Sequence, residues 1–159
     1  MFRITEVGIA FLGCLCERDN GFVIPIVDQD QVTSINTANT ELTVTFSEGV
    51  YNTAGGTGDL EATDFALSID GGVATLGSAT PTSITKTSQS VWVLGFSTSG
   101  TANGSETITV VPASSTSIYD AAANAAATSQ SNNTDMLVDQ VAPTIAITSI
   151  NTANTELTV

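Results

Sequence analysis

The sequence predicts an all-β protein, an antiparallel β-sandwich of about seven strands, and three observations support this class. Apolar and polar residues alternate with a period of two in several short segments, as in strands with one buried face. Turn sequences rich in Gly, Asn and Asp separate these segments, and no long segment has helical periodicity. Apolar residues make up 42% of the 159 residues, enough for the core of a two-sheet sandwich of about 100 residues.

The predicted strands follow one another in order along the chain. The first begins at Ile35, before a turn at residues 36–39, and the second spans residues 41–46, whose alternate apolar residues share one face. Threonine and valine are frequent in the later segments, which favours strands there too. These later strands are predicted at residues 65–69, 73–76, 91–96, 106–110 and 136–138.

The sequence allows more specific predictions for two connecting segments and one strand. Residues 70–72 (DGG) favour a tight hairpin in which residues 73–76 form the return strand. In the strand at residues 106–110, Ile108 and Val110 point inward. The alanine-rich residues 121–127 are too short for a stable helix, so a loop or a single helical turn is expected.

A twelve-residue sequence, TSINTANTELTV, occurs twice, at residues 33–44 and 148–159. The offset of 115 residues between the two copies is typical of a tandem array of β modules. The sequence therefore predicts three segments. They are a leader or truncated upstream segment at residues 1–30, a sandwich module at residues 31–141, and the opening strands of a second repeat at residues 142–159.

The first sixteen residues combine Arg3 with a short apolar run and resemble a secretory signal. Residues 11–14 (FLGC) resemble a degenerate lipobox, whose Cys14 would carry the lipid of a lipoprotein. The alternative is the truncated start of a longer gene. The apolar run is too short for a membrane span, which needs about 20 residues. The Cys14-x-Cys16 spacing alone is a weak metal or redox signal.

Charge and residue types exclude several classes of function. Three basic residues stand against sixteen acidic ones, a net charge of −13, so the basic surface that nucleic acid requires is absent. The chain contains no histidine, which removes Ser-His-Asp triads, Cys-His pairs and His-containing zinc sites. We therefore expect a protein that is not an enzyme and that binds no nucleic acid.

Three segments resemble, in their order and spacing, those of bacterial Ig-like repeats. They are residues 45–50 (TFSEGV), 119–124 (YDAAAN) and 139–144 (DQVAPT). The resemblance spans residues 31–159 and implies an Ig-like β-sandwich from a large secreted or cell-surface protein, often an adhesin. Ala123 stands where those repeats usually have glycine. A left-handed turn there costs an alanine about 1 kcal/mol or more, so a different local turn is expected.

Acidic and amide side chains near the predicted module junction are candidate calcium ligands. Asp120, Asn124 and Asp139 could each supply an oxygen, and cadherins stiffen their linkers with calcium at this kind of place. The alternative is that Asp120 and Asn124 cap a turn through side-chain bonds to the backbone. Residues 55–59 (GGTGD) miss the calcium nonapeptide by one residue and are interpreted as a flexible loop.

Four acidic residues surround one long loop, and paired carboxylates can hydrolyse glycosides at separations of about 5–10 Å. Loop acids are more often only solvated, and no other feature supports an active site. The four are Glu48, Asp59, Glu61 and Asp64.

Three aromatic residues, Tyr51, Trp92 and Tyr119, could stack on a sugar. Trp92 shares a strand face with Leu94 and Phe96, so it is interpreted as part of the core.

These observations together predict a non-enzymatic structural or adhesive repeat module of a secreted or cell-surface fibrous protein. Its partners would be neighbouring repeats or identical subunits, and surface glycans are a further candidate. Two alternatives stay open. One is a filament subunit that exchanges residues 144–159 with a neighbour, and the other is a module whose binding depends on calcium or carbohydrate.

Overall fold

The computed structural model describes residues 31–159 of the chain. The predicted leader at residues 1–30, with its lipobox-like segment and both cysteines, lies outside the described residues. Thirteen strands and one turn of 3₁₀ helix, Ala62–Asp64, make up the regular structure of the described part. The strands are β1 Gln31–Ile35, β2 Glu41–Thr45, β3 Val50–Tyr51, β4 Phe65–Asp70, β5 Thr75–Leu76, β6 Ser83–Lys86, β7 Val91–Gly95, β8 Thr98–Ser99, β9 Thr107–Pro112, β10 Tyr119–Asp120, β11 Thr134–Met136, β12 Ser149–Ile150 and β13 Leu157–Thr158.

Two antiparallel sheets form the body of the molecule. The first has the strand order β1-β2-β7-β6 and the second has the order β11-β9-β4. Three pairs of short strands, β3 with β10, β5 with β8 and β12 with β13, form separate two-stranded sheets. The prediction of an all-β antiparallel sandwich is therefore confirmed. The predicted count of about seven strands was too low, because six of the thirteen are ladders of two residues that carry little periodicity in sequence.

Strands β2 and β7 show how the alternating pattern produces the core. Leu42 lies opposite Leu94, and Val44 lies opposite Trp92, with all four side chains buried. The intervening residues of both strands face outward, as the period of two requires. Burial of an aliphatic side chain of this kind stabilises the fold by about 1.5–3 kcal/mol.

Strands β4 and β9 supply the opposite face of the core. Phe65, Leu67, Ile108 and Val110 are buried, and Leu67 lies directly opposite Val110. The inward orientation predicted for Ile108 and Val110 is confirmed. One core results, whose buried apolar residues lie between Leu42 and Leu137 in sequence.

The predicted hairpin after residues 70–72 was wrong. Strand β5 pairs with β8, and β4 pairs with β9 instead. The backbone N–H groups of Val73 and Ala74 donate to the carboxylate of Glu106, so they are directed away from β4. A side chain distant in sequence thus binds the segment that the local turn signal placed in the return strand.

Two smaller differences concern strand positions. The last strand of the module, predicted at residues 136–138, is β11 at Thr134–Met136, and β6 was not predicted at all because its face is mostly exposed. Residues 121–127 form turns without a helix, in agreement with the loop that was expected.

The first and last strands of the module lie side by side and run in the same direction. Near the start of β1, the N–H of Val32 donates to the carbonyl of Asn132 (3.3 Å). Beyond its end, the side chain of Asn39 bonds the backbone of Val138, which follows β11. The chain therefore enters the module at one end of β1 and leaves it at the other.

The second copy of the dodecamer folds into a separate hairpin of β12 and β13. Ile150 lies opposite Leu157, as Ile35 lies opposite Leu42 in the first copy. Leu42 is 1% exposed, whereas Leu157 is 53% exposed. The same sequence thus forms the same element in two environments, and only the first copy contributes to the core.

Candidate functional site

Asp120 and Asn124 close a tight turn at the end of β10. The Asp120 Oδ1 atom accepts from the N–H groups of Ala122 and Asn124 (both 2.8 Å), and its Oδ2 atom accepts from the Asn124 side-chain amide (2.7 Å). The N–H of Asp120 donates to the Asn124 carbonyl (2.9 Å). Both carboxylate oxygens therefore have N–H donors, which is the geometry of a turn cap.

Burial raises the pKa of the Asp120 carboxyl, but its hydrogen bonds with Asn124 and Ala122 lower it by more. The pKa of Asp120 consequently lies below its ordinary value. Ala123, between these residues, has φ 70°, in the left-handed region. The expectation that alanine would avoid this conformation was wrong, since the Asp120 bonds on either side hold the turn closed.

Asp139, the third candidate calcium ligand, lies in the segment that leaves the module. Its Oδ1 atom accepts from the N–H of Val141 (2.8 Å), and its Cα and Cβ lie against Gly104. Among the hydrogen bonds of residues 31–159, none joins Asp139 to Asp120 or Asn124. No group of three or more acidic, cysteine or histidine residues in this part of the chain is arranged to hold a metal ion. The calcium site stays a prediction.

A clamp around Val138 fixes the path of the outgoing chain. The Asn39 side chain donates to the Val138 carbonyl (2.8 Å) and accepts from its N–H (2.9 Å). Asn39 is buried and has φ 53°, a conformation that asparagine tolerates better than most residues. On either side of Val138, the N–H of Leu137 donates to the Glu106 carbonyl and that of Gln140 to the Ala102 carbonyl (both 2.9 Å).

Glu106 is a fully buried carboxylate that the sequence analysis missed. Its oxygens accept from the backbone N–H groups of Ala74 (2.9 Å), Val73 (2.8 Å) and Asn103 (3.0 Å). These bonds, with the one from Ala74 first, lower the pKa of Glu106 to about 2 against burial, which raises it. A signal was present in the sequence. Glu106 lies two residues before Ile108 and four before Val110, so an extended chain directs its side chain to the same inward face. Its carboxylate therefore had to lie in the core or at the edge of the core.

The aromatic candidates separate into two groups. Trp92 is buried in the core as interpreted, and its indole N–H donates to the Gln89 carbonyl (3.3 Å). Tyr51 and Tyr119 lie directly opposite each other on β3 and β10, and both are half-buried. Directly opposite residues share a sheet face, so these two half-buried side chains lie on the same face of the two-stranded sheet.

The four loop acids do not form one site. Asp59 pairs with Lys86, the single basic residue in the sequence of residues 31–159, and the Lys86 ammonium also lies 5.5 Å from the Trp92 ring centroid. Asp64 accepts from the N–H of Glu61 (2.7 Å) at the start of the 3₁₀ turn. Burial raises the pKa of Asp64, and the Glu61 N–H opposes this shift.

Comparison with known proteins yields no match. No family model fits the sequence, and no curated protein or solved structure is similar to it.

Within the described residues, no helix has the length and apolar character needed to cross a membrane.

Proposed function

We propose that residues 31–141 form a load-bearing spacer module of an extended, multi-module protein that is secreted or held at a cell surface. Its role is mechanical or adhesive, and it performs no chemical reaction. The observation that carries this proposal is the arrangement of the first and last strands. They lie side by side in the same direction, so the chain enters and leaves at opposite ends of the module.

This arrangement determines how an applied force would act. Val32 and Val138 mark the two ends, separated by the length of β1 and its following turn, roughly 20 Å. Tension between these points slides β1 along β2 and β11 along β9, so the ladder bonds bear the force together. Bonds that must break together resist far more force than bonds that open one at a time.

The clamp around Val138 supports the same role. Asn39 and Ala102 hold the outgoing chain as far as Gln140. The segment that connects two modules therefore starts from a fixed position, which favours a defined direction from one module to the next. The exact duplication of the dodecamer after 115 residues supports a tandem arrangement.

Composition and sequence resemblance supply further support. The net charge of −13 and the surface of Thr, Ser and Asn residues suit a secreted protein that must stay dissolved. The resemblance of residues 45–50, 119–124 and 139–144 to bacterial Ig-like repeats adds the expectation of an Ig-like module from a cell-surface protein.

Single-molecule pulling tests the mechanical role. Handles attached at Gln31 and Val141 should give one unfolding step that releases roughly 350 Å of chain. The control pulls the same protein through handles at Thr85 and Val93, a geometry that peels the edge strand β6 from β7. We expect the control to yield at a several-fold lower force. Equal forces in both geometries would refute a load-bearing design.

A second candidate function, binding of surface glycans, is favoured by Tyr51 and Tyr119, two half-buried aromatic residues that lie opposite each other on β3 and β10. Aromatic faces on a rigid sheet stack on the apolar faces of sugars. A glycan array probed with the full chain should show ligands whose binding is lost in the double variant Tyr51→Ala/Tyr119→Ala. Val141→Ala, a change at another exposed apolar residue, should bind as before. Absence of any ligand, or ligands retained by the double variant, would exclude this candidate.

A further inference from the structure

We infer that the second copy of the dodecamer fits the position that the first copy holds in the module, so that one chain carries two interchangeable hairpins. Residues 33–44 are here called the first hairpin and residues 148–159 the second hairpin. The hairpin slot is the surface formed by β7, the rest of the core and the Val138 backbone, which the first hairpin covers in the structure.

The two hairpins have the same local geometry. In the first, Asn36 Oδ1 accepts from the N–H groups of Thr40 (2.9 Å) and Glu41 (3.3 Å). In the second, Asn151 Oδ1 accepts from the corresponding groups of residues 155 and 156 (2.8 and 3.3 Å). Asn39 and Asn154 have φ values of 53° and 55°. The second hairpin is therefore already shaped for the slot, although nothing in the described residues covers its apolar face.

The apolar faces also correspond, position by position. The first hairpin, extended by one residue, directs Val32, Ile35, Leu42 and Val44 toward the core. The matching residues of the second are exposed, Ile150 by 56% and Leu157 by 53%. In the slot, Leu157 would lie opposite Leu94, as Leu42 does now. The matching residues are Ile147, Ile150, Leu157 and Val159.

One position differs, and it does not prevent the fit. Ile147 would take the place of Val32, which is half-buried against the core at the edge of the slot. Isoleucine is one methylene larger than valine and shares its branched shape, so a partly exposed site can hold it. The Asn154 carboxamide, exposed at present, would reach the Val138 backbone in the slot.

The linker between Val138 and the second hairpin is long enough for exchange within one chain. Val138 lies beside the turn of the first hairpin, and Val32 lies at the far end of β1, roughly 20 Å away. Beyond Gln140, the last residue held by the module, the residues from 141 to 147 can span roughly 24 Å when extended. The displaced first hairpin would leave the sheet between Val44 and Thr45.

The energetics favour exchange of the hairpins within one chain over exchange between two molecules. One hairpin is in the slot and one is exposed in either arrangement, so exchange leaves the buried apolar area almost unchanged. Exchange between two molecules would bury no additional apolar area, and the association would cost translational entropy. Within one chain the short linker keeps the second hairpin at a high effective concentration near the slot. This inference depends on the duplicated sequence and the contacts of the first copy, and it holds whether or not the module bears load.

Substitutions in the full chain test the exchange through thermal stability. Leu42→Asn disables the first hairpin, and we expect only a small loss of melting temperature because the second hairpin takes the slot. Leu157→Asn alone should change nothing. The double variant Leu42→Asn/Leu157→Asn should lose most of its stability. The matched control is Leu94→Asn, which alters an equally buried residue that has no second copy, and it should resemble the double variant.

Disulfide formation identifies the occupant directly. In a background with Cys14→Ser and Cys16→Ser, the pair Thr158→Cys/Val93→Cys should crosslink within the monomer when Leu42→Asn is present. Val93 is the residue that now lies opposite Thr43 in the ladder. The pair Thr43→Cys/Val93→Cys, without Leu42→Asn, measures the crosslinking yield of an occupied slot.

Three results would overturn the inference. The first is a Leu42→Asn variant that is as unstable as the double variant. The second is the absence of the crosslink between residues 158 and 93 when the control pair forms. The third is a crosslinked dimer, which would show that the second hairpin enters another molecule.

Discussion

Glu106 and Asn39 are the two most deeply buried polar residues of the sandwich. Each is buried, and each bonds the backbone of a segment distant in sequence: Glu106 bonds Val73 and Ala74, and Asn39 bonds Val138. A buried polar group without partners would destabilise the fold, whereas a fully bonded one restricts the chain to one arrangement. These two side chains therefore fix loops that the apolar core alone would leave undetermined.

The charge of Glu106 should make stability depend on pH. The pKa of Glu106 is about 2 in the folded protein and near its ordinary value of 4.5 in the unfolded chain. Because the folded pKa is the lower one, its contribution is complete above pH 4.5 and is lost as the pH falls toward 2. Melting temperatures measured across this range should fall steeply for the natural protein.

The variant Glu106→Gln isolates this contribution. Glutamine replaces one acceptor oxygen by an amide that faces backbone donors, so the melting temperature at neutral pH should drop by several degrees. The dependence on pH between 4.5 and 2 should become shallower. An unchanged pH profile would contradict the assignment of this dependence to Glu106.

Asn39 and Asn154 occupy equivalent places in the two hairpins, and they offer a matched pair of substitutions. In a Leu157→Asn background, in which the second hairpin cannot take the slot, Asn39→Gly keeps the left-handed turn but removes two hydrogen bonds to Val138, so unfolding should become easier by about 1–3 kcal/mol. Asn154→Gly changes the same turn where the side chain is exposed, and its effect on denaturant unfolding should be close to zero. Equal losses would show that turn geometry alone, without the clamp, accounts for the effect.

Single elements differ in how well the sequence predicts them. Strands β2, β4, β7 and β9 were predicted within one or two residues, because each has one buried face and a clear period of two. Strand β6 was missed because it is an edge strand with a mostly exposed pattern. The pairing of β5 with β8 was not inferred, because each strand has only two residues and no alternating pattern.

The turn after β4 gives a prediction at this scale. Gly72 has φ 57°, and a Cβ added there would overlap the Glu106 side chain. Gly72→Ala therefore combines backbone strain with displacement of a bonded carboxylate, and we expect a loss of about 1–3 kcal/mol. Gly55→Ala serves as the control because its Cβ would meet only open space and ordinary contact. Chemical denaturation of both variants should separate them, and similar stabilities would refute this role for Gly72.

For the whole molecule, the sequence predicted the sandwich class but did not settle the metal question. The fold class follows from alternation, which the longer core strands β2, β4, β7 and β9 repeat. The candidate calcium set of Asp120, Asn124 and Asp139 depended on which oxygens meet in space, and the order of residues carries little information on that. The structure pairs Asp120 with Asn124, while Asp139 caps its own segment.

A calcium titration tests whether Asp120 and Asn124 bind a metal ion or only cap a turn. If Asp120 and Asn124 act as a cap, millimolar calcium should leave the melting temperature unchanged, although extracellular modules bind calcium in this range. Asp120→Asn should lower stability with or without the ion, because it weakens the bonds to Ala122 and Asn124. A melting shift with calcium that disappears in Asp120→Asn would establish the metal site instead.

The pairing of Lys86 with Asp59 affects how well the protein resists proteolysis. Proteases of the trypsin class cut only after lysine or arginine, and Lys86 is the single such residue from residue 31 to residue 159. Cleavage requires the segment around the lysine to open, but Lys86 ends a strand that is hydrogen-bonded to β7, and its side chain is paired with Asp59. Residues 31–159 therefore offer proteases of the trypsin class a single cleavage site, and that site is protected while the first sheet stays closed.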